Sequence, residues 1–201
     1  MDFALSEEQE MLRKSARDFL RAECPKSLIR KLEEDELGYS PELWKKMAGL
    51  GWMGLMLPEK YGGAGLSFLD LAVLFEEFGR AAAPGPMFCT TALGALPILD
   101  WGTEEQKKAF LPRVAAGELL LTMALAEPKV NEDPRFINTR AMTKDDGFLV
   151  HGTKLFVPYS HVADNLLLVA RTKGVAGDRK GITLLIVDRK AQGIEITPLA
   201  T

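Results

Sequence analysis

The sequence predicts an α+β protein in which an N-terminal all-helical domain is followed by an antiparallel β-barrel or β-sandwich domain. Residues 1–118 carry apolar residues at helical spacing behind capping residues. From residue 119 onward, short apolar or alternating runs are separated by glycines, a spacing typical of a barrel or sandwich. We therefore expect a helical domain over residues 1–118 and a β domain over residues 119–201.

Capping residues mark the starts of four predicted helices. Two starts are capping boxes, in which a hydroxyl residue and a glutamine three positions later bond each other's backbone N–H. A third places proline directly after the capping serine, where its fixed φ suits the first turn. The starts are Ser6 with Gln9, Ser40 with Pro41, Ser67, and Thr103 with Gln106, and Gly117 is a suitable stop for the last helix.

A further apolar segment, residues 81–99, contains no charged side chain and approaches the length that spans a bilayer. Its prolines and glycines favour a loop leading into a buried helix over residues 87–99 instead of a membrane span. The glycine-rich segment at residues 61–65 lacks the lysine and the spacing of a phosphate-binding loop, so we interpret it as a turn.

The predicted strands of the β domain are short. They cover residues 119–126, 136–143, 148–150, 154–157, 165–170, 182–187 and 194–197. In this pattern Phe156 alternates with Leu155 and Val157, so core packing alone would explain its position. Glu127 and Pro128 would simply end a strand, because proline withholds a ladder donor.

Composition excludes several classes of function. Lys and Arg number 25 against 28 Asp and Glu, and this near balance argues against a nucleic-acid-binding protein. Cys24 and Cys89 lie too far apart for a metal-ligand motif, and His151 and His161 lack accompanying ligands, so we expect no metal site. The acidic start has no signal-peptide pattern, and we expect a cytoplasmic protein.

Short motifs along nearly the whole chain resemble those of acyl-CoA dehydrogenases. Each is weak alone, but their shared order and spacing argue against a chance match. The motifs are FALSEEQ from Phe3, LPEKYGGAG from Leu57, GTEEQKK from Gly102 with Leu111-Pro112 and Gly117-Glu118 behind it, ALAEP from Ala124, GTK from Gly152, Ala163-Asp164 and Ala170-Arg171.

The resemblance implies a three-part fold, of which this sequence contains the helical domain and most of the middle β domain. The C-terminal helical bundle, which supplies the family's usual catalytic glutamate, is absent, so we assign no catalytic residue here. The implied reaction is FAD-dependent α,β-dehydrogenation of an acyl-CoA thioester, as in fatty acid metabolism, with the base beyond the chain end. An electron-transfer flavoprotein is the implied acceptor, and a homo- or hetero-tetramer the implied full-length assembly, so we expect the isolated chain to be inactive.

The resemblance also places five residues at the cofactor. Met123, Leu125 and Ala126 would lie along the strand that meets the flavin, and Phe156 would pack on the ring. Two positions depart from the family, which usually has Thr or Ser where this chain has Ala126 and Pro158. Proline has neither a hydroxyl nor an N–H, so these departures remove donors to the cofactor.

Four further residues are candidates for substrate binding. The helix over residues 87–99 corresponds to one that lines the family's acyl pocket, where Thr90 and Leu93 could face the substrate, although core packing explains them equally well. Asp133 is retained from a family motif that helps hold the CoA portion. Glu132 stands where that motif has a small serine, and an anion there is unfavourable near an anionic ligand.

Two interpretations remain open from the sequence. In the first, the chain is the N-terminal portion of a flavin-dependent acyl-CoA dehydrogenase that tolerates Ala126 and Pro158. In the second, it is a non-catalytic partner subunit of a heteromeric acyl-CoA dehydrogenase, and Ala126, Pro158 and Glu132 reflect a decayed flavin site.

Overall fold

A computed structural model of the protein describes residues 4–128 and 133–199. The chain divides into two compact units, Met1–Leu119 and Leu120–Thr201. The first unit is helical and the second contains a mixed β-sheet, so the predicted α+β fold class is confirmed. Each unit has its own hydrophobic core.

The described part of the helical unit contains six α-helices and three shorter helical segments. The predicted caps at Ser6, Ser40, Ser67 and Thr103 all accept a backbone N–H, and Ser67 forms a capping box with Asp70. The helices are α1 Glu7–Glu23, α2 Lys26–Glu33, α3 Pro41–Gly49, α4 Phe68–Ala81, α5 Leu96–Trp101 and α6 Glu104–Ala115, with 3-10 turns at Trp52–Gly54 and Glu59–Tyr61 and a π-helical segment at Cys89–Ala95.

The core of the helical unit forms where α1 packs against α4. The Trp52 ring meets Phe19 edge-on at 5.1 Å and Phe78 at 5.7 Å between ring centroids. Beside these rings, the Glu77 side chain is 1% exposed and accepts a bond of 2.6 Å from Arg17 on α1. A buried carboxylate needs such a partner, so this ion pair fixes the register of the two helices.

Residues 61–65 form the expected turn. Gly62 adopts a left-handed φ of 80°, and Gly63 lies so close to the backbone that a Cβ atom there would be 1.9 Å from the Leu57 carbonyl oxygen. Glycine is therefore required at 63 by packing, without any ligand.

The predicted helix over residues 87–99 is present but irregular. Its middle widens into the π-helical segment, and the Leu96 N–H bonds to the Thr91 carbonyl, five residues back. Pro97 follows directly and supplies no N–H, so a standard ladder could not continue there. Among the described residues, no helix is long and apolar enough to cross a membrane.

The sheet of the β unit centres on one strand. The strands are β1 Leu121–Ala124, β2 Arg140–Lys144, β3 Gly147–His151, β4 Asn165–Arg171 and β5 Ile182–Asp188. The order β1-β4-β2-β3 leaves β5 also paired with β4. Strand β4 is parallel to β1 and β2, whereas β4–β5 and β2–β3 are antiparallel, so the sheet is open and mixed instead of wholly antiparallel.

Three predicted strands differ from the structure. Residues 136–139 precede β2, because the Asp133 side chain accepts the Arg135 N–H and begins a 3-10 turn at Pro134–Phe136. Residues 154–157 form no strand, because Phe156 has a positive φ of 52° that strand geometry does not allow. Residues 194–197 also lie outside any strand.

Candidate functional site

Two segments of the β unit lie side by side, and together they contain all five predicted cofactor residues. We call them the β1 site: residues 122–127, which end β1, and residues 154–159. The Leu155 N–H donates to the Ala126 carbonyl at 2.9 Å, and the Thr122 hydroxyl donates to the Pro158 carbonyl at 2.7 Å. Met123 lies within β1 opposite Leu167, so all five residues belong to one unit.

Phe156 is the most exposed aromatic residue of the β1 site. Its surface is 72% exposed, so the alternative interpretation as a core residue is wrong. The left-handed backbone at Phe156 breaks the alternation that had favoured a strand, and Tyr159 also has a positive φ, 54°. Such conformations are uncommon for non-glycine residues and persist only where neighbouring contacts hold them.

Leu125 adds to the apolar surface of the β1 site, because it is 45% exposed directly after β1. Ala126 is also exposed, and its side chain offers no hydrogen-bonding group. Pro158 lacks an N–H, and its carbonyl is already bonded to Thr122. The β1 site therefore presents apolar side chains and few side-chain donors.

A buried ion pair underlies this surface. The Lys154 ammonium lies 2.8 Å from Glu127 Oε1, and each side chain is only 8% exposed. The same ammonium donates to the Leu125 carbonyl at 3.0 Å, so it joins both segments of the β1 site. The Glu127 carboxylate also accepts the N–H groups of Asn138 and Thr139 at 2.8 and 2.9 Å.

The electrostatics of this pair set its charge state. Burial by itself raises the pKa of Glu127, but the bonds from Lys154, Thr139 and Asn138 outweigh burial and lower this pKa to about 2. Burial lowers the pKa of Lys154, and Glu127 opposes that shift. The Thr139 hydroxyl is buried and makes no hydrogen bond with any described residue, whereas the backbone N–H of Thr139 bonds the Glu127 carboxylate.

Sequence reasoning missed this pair. It interpreted Glu127 only as the end of a strand and Lys154 only as part of a family motif. The two residues are 27 positions apart, so no local pattern connects them. One signal was available: Glu127 follows closely after the buried apolar strand β1. A charge in such a position is almost always paired, so a cationic partner could have been expected.

The predicted acyl-pocket residues lie in the other unit, on the π-helical segment. Thr90 is fully buried at 0% exposure and Leu93 is partly buried. A cavity of about 10 Å³ in this unit is lined by Thr91 and Leu96, among others, but not by Thr90 or Leu93. A space of that size holds at most one water, and the assignment of Thr90 and Leu93 to an acyl pocket stays a prediction.

Of the two residues predicted to hold the CoA portion, the structure describes only Asp133. Asp133 is partly buried and bonds the Arg135 side chain through Nε at 2.6 Å, and this bond lowers the pKa of Asp133. Glu132 lies outside the described residues.

Cys89 is buried, as expected for a small core residue. The described residues contain no cluster that could hold a metal ion.

The fold is a helical unit followed by a β unit with a mixed sheet. A family model described as "Acyl-CoA dehydrogenase, N-terminal domain" matches residues 6–118, and one described as "Acyl-CoA dehydrogenase, middle domain" matches residues 122–201. The chain belongs to the acyl-CoA dehydrogenase family.

Individual proteins show the same likeness. An acyl-CoA dehydrogenase of Bacillus subtilis is 35% identical over 194 residues, covering 96% of this chain and 50% of that protein. The caffeyl-CoA reductase-Etf complex subunit CarC of Acetobacterium woodii is 32% identical, covering 95% of this chain and 50% of its own length. The crystal structure of the ChsE4-ChsE5 complex from Mycobacterium tuberculosis matches with a TM-score of 0.86 and 32% identity, over 100% of this chain and 51% of that one. The chain thus spans about half the length of the curated relatives it matches.

Proposed function

We propose that this chain is the N-terminal portion of an enzyme that carries out FAD-dependent α,β-dehydrogenation of an acyl-CoA. In this proposal its β1 site contacts the cofactor and the thioester. The observation that carries this proposal is the exposed Phe156 ring, on a segment hydrogen-bonded to the one that carries the exposed Leu125. Large aromatic side chains are usually buried, and a strained backbone that holds one in the open is typical of a ligand-binding position. Family membership makes a flavin the ligand of choice.

The residues of the β1 site fit the apolar part of a flavin better than its polar edge. Phe156 and Leu125 offer the area on which a planar ring packs, and offset or edge-on contacts between rings are favourable. Ala126 and Pro158 offer no side-chain donor. Each missing bond costs about 0.5–1.5 kcal/mol of cofactor affinity, so packing has to supply more of the binding.

In this proposal the β1 site would hold FAD, which would supply the redox chemistry as the acceptor of a hydride from the acyl β-carbon. Phe156 orients the ring, and Leu125 excludes water from one side of it. The Lys154 ammonium holds the Leu125 carbonyl and Glu127 in place, which fixes where the ring can rest. Met123 supports the site from within β1.

Glu127 is unsuited to the proton removal that this reaction needs. A general base works best with a pKa near the operating pH, whereas the pKa of Glu127 is about 2 and its oxygens are bonded to Lys154, Asn138 and Thr139. We therefore propose that the base is supplied by another part of the full-length protein, in line with the sequence prediction.

The absorbance spectrum of the purified full-length protein tests this proposal. We expect the visible bands of bound flavin, and we expect them to bleach when an acyl-CoA is added without oxygen. The matched control is the same protein with free CoA, which has no acyl chain to oxidise. A flavin-loaded protein that keeps its colour with a range of acyl-CoA chain lengths would contradict the proposal.

A second candidate function is a non-catalytic partner subunit in a heteromeric acyl-CoA dehydrogenase. Ala126 and Pro158 favour it because both remove donors at the cofactor, and the matched ChsE4-ChsE5 structure is a complex of two different proteins. Co-expression with the neighbouring gene distinguishes the two functions. A colourless, folded assembly that becomes active only with a flavin-loaded second subunit would favour the partner role.

The remaining assignments belong to the same proposal. An electron-transfer flavoprotein is proposed as the electron acceptor, and the name of the CarC relative, which includes Etf, supports this choice. A homo- or hetero-tetramer and a place in fatty acid metabolism are proposed from the family resemblance, and a cytoplasmic location is proposed from the sequence expectation alone. Titration of the reduced protein with electron-transfer flavoprotein tests the acceptor.

A further inference from the structure

One peptide unit of the β1 site connects its buried ion pair with its exposed surface. The Leu125 carbonyl accepts a hydrogen bond of 3.0 Å from the Lys154 ammonium, whose side chain is only 8% exposed. The next residue, Ala126, is exposed, and its N–H makes no hydrogen bond with any described residue. The peptide unit between Leu125 and Ala126 therefore has one buried, bonded end and one open end.

Peptide geometry fixes the direction of the open end. None of the described peptide bonds is cis, and in a planar trans unit the carbonyl and the N–H point to opposite sides of the chain. Because the Leu125 carbonyl points toward the buried ammonium of Lys154, the Ala126 N–H points away from it, toward the exposed side of the β1 site. A ligand that rests on this side can accept this N–H.

This backbone donor matters because the β1 site offers few others. The Ala126 side chain has no hydrogen-bonding group, and Pro158 has neither a hydroxyl nor an N–H. The carbonyls of Ala126 and Pro158 are occupied by the Leu155 N–H and the Thr122 hydroxyl. The Ala126 N–H is therefore a group through which the site can bond the polar edge of a ligand.

Lys154 gives the peptide unit a charge-assisted bond. A hydrogen bond from an ammonium is roughly twice as strong as one between neutral groups, and it polarises the amide so that its N–H donates more strongly. Glu127 lies 2.8 Å from the ammonium and favours its charged form. This carboxylate neutralises the ammonium only in part, because it also accepts the N–H groups of Asn138 and Thr139.

We propose that Lys154 is a positioning residue that favours the reduced form of the cofactor by acting through the peptide unit between Leu125 and Ala126. This inference rests on the proposed function and names the group that tunes the flavin. A flavin gains negative charge at its polar edge when it is reduced, so a strengthened N–H donor stabilises the reduced form more than the oxidised form. The ammonium thereby offsets the side-chain donors that Ala126 and Pro158 lack.

A purely structural ion pair predicts a different behaviour. If Lys154 and Glu127 only held the backbone in place, replacing both with neutral side chains of similar size would weaken the binding of oxidised and reduced FAD equally. In the role proposed here, the reduced form loses more. The ratio of the two affinities sets the reduction potential of the bound flavin, so this potential separates the two roles.

The reduction potential of the flavin-loaded full-length protein, measured by stepwise reduction with dithionite beside a reference dye, tests the proposal. The site variant is Lys154→Met with Glu127→Gln, which keeps the net charge and leaves no partner of the buried pair ionised alone. The control is Lys190→Met with Glu195→Gln, the same two changes at exposed positions of the β unit.

We expect the site variant to lose about tenfold more affinity for reduced FAD than for oxidised FAD, which corresponds to a potential about 30 mV lower. The control should keep the ratio of the two affinities within about twofold of the original protein. A second site variant, Lys154→Gln with Glu127→Gln, keeps a neutral donor at position 154 and should change the ratio about threefold. It decides the question if the first variant does not retain flavin.

Each outcome decides the proposal. An unchanged ratio in the site variants, an equal change in the control, or loss of flavin by both site variants would overturn the role of Lys154. Because the potential is measured without acyl-CoA, a lower potential in a protein that no acyl-CoA bleaches refutes only the dehydrogenase proposal. Bleaching with an unchanged potential refutes only the role of Lys154, and a full-length protein that holds no flavin refutes both.

Discussion

Removing the Lys154 ammonium with Lys154→Met should destabilise the β unit by as much as about 3 kcal/mol at pH 7. Hydrogen bonding and charge lower the pKa of Glu127 from 4.5 to about 2. A shift of that size corresponds to about 3 kcal/mol of stability carried by the ionised carboxylate, and the Asn138 and Thr139 bonds, which Lys154→Met keeps, supply part of it. The lowered pKa of Lys154 acts in the opposite sense, because burial of its charge costs free energy. The measured loss should therefore not exceed this figure by much.

The sign of the pH dependence follows from the direction of the Glu127 shift. A carboxyl group whose pKa is lower in the folded state stabilises the fold above its unfolded pKa, and this contribution is lost as pH falls through the folded pKa. The difference in stability between the original chain and Lys154→Met should therefore be full above about pH 5 and shrink as the pH approaches 2.

Urea unfolding followed by far-ultraviolet circular dichroism measures this difference, with amide hydrogen exchange to locate it in the β unit. Lys190→Met is the matched control, because Lys190 is exposed and forms no ion pair with the described residues, and it should change stability by less than about 0.5 kcal/mol. If Lys154→Met were as stable as the control at pH 7, or if its deficit stayed constant down to pH 2, the account of the buried pair would be wrong.

Three further predictions follow from single sites. Phe156→Gly should raise the free energy of unfolding in urea by about 1 kcal/mol, because glycine adopts a positive φ without strain. The same variant of the full-length protein should bind FAD more weakly in a flavin titration. Gly63→Ala should destabilise the helical unit by more than about 2 kcal/mol in urea, whereas Gly49→Ala, where a Cβ meets nothing within 4 Å, should not. Glu77→Gln should lower the melting temperature at pH 7 but much less at acidic pH, since the Arg17 bond lowers the pKa of Glu77.

The helical unit was largely predictable because its signals are local. Each capping residue lies within three positions of the amide that it satisfies, so Ser6, Ser40, Ser67 and Thr103 identify helix starts from sequence alone. The widened turn at Cys89–Ala95 was harder to predict, because it depends on how Pro97 is accommodated between buried neighbours.

The β unit was less predictable because long-range contacts decide its conformation. Residues 154–157 alternate like a strand, but the Lys154 bonds to Leu125 and Glu127 draw this segment across the end of β1 instead. The parallel pairing of β1 with β4 likewise joins residues more than forty positions apart, as Leu121 opposite Asn165 shows. Period-two alternation predicts that a segment is extended but not which strand it joins.

The same long-range contacts explain why the two candidate functions are hard to separate by residue type. The carbonyls of Leu125, Ala126 and Pro158 are all bonded within the protein, to Lys154, Leu155 and Thr122 respectively. These bonds hold the β1 site in shape whether or not a cofactor binds, so a subunit that had lost its flavin would keep the same backbone. What distinguishes a working site is the exposed Phe156, because an unused apolar ring on a strained backbone only costs stability. The exposed Phe156 is therefore what the proposed flavin-binding function expects, whereas a decayed site gives no reason for it.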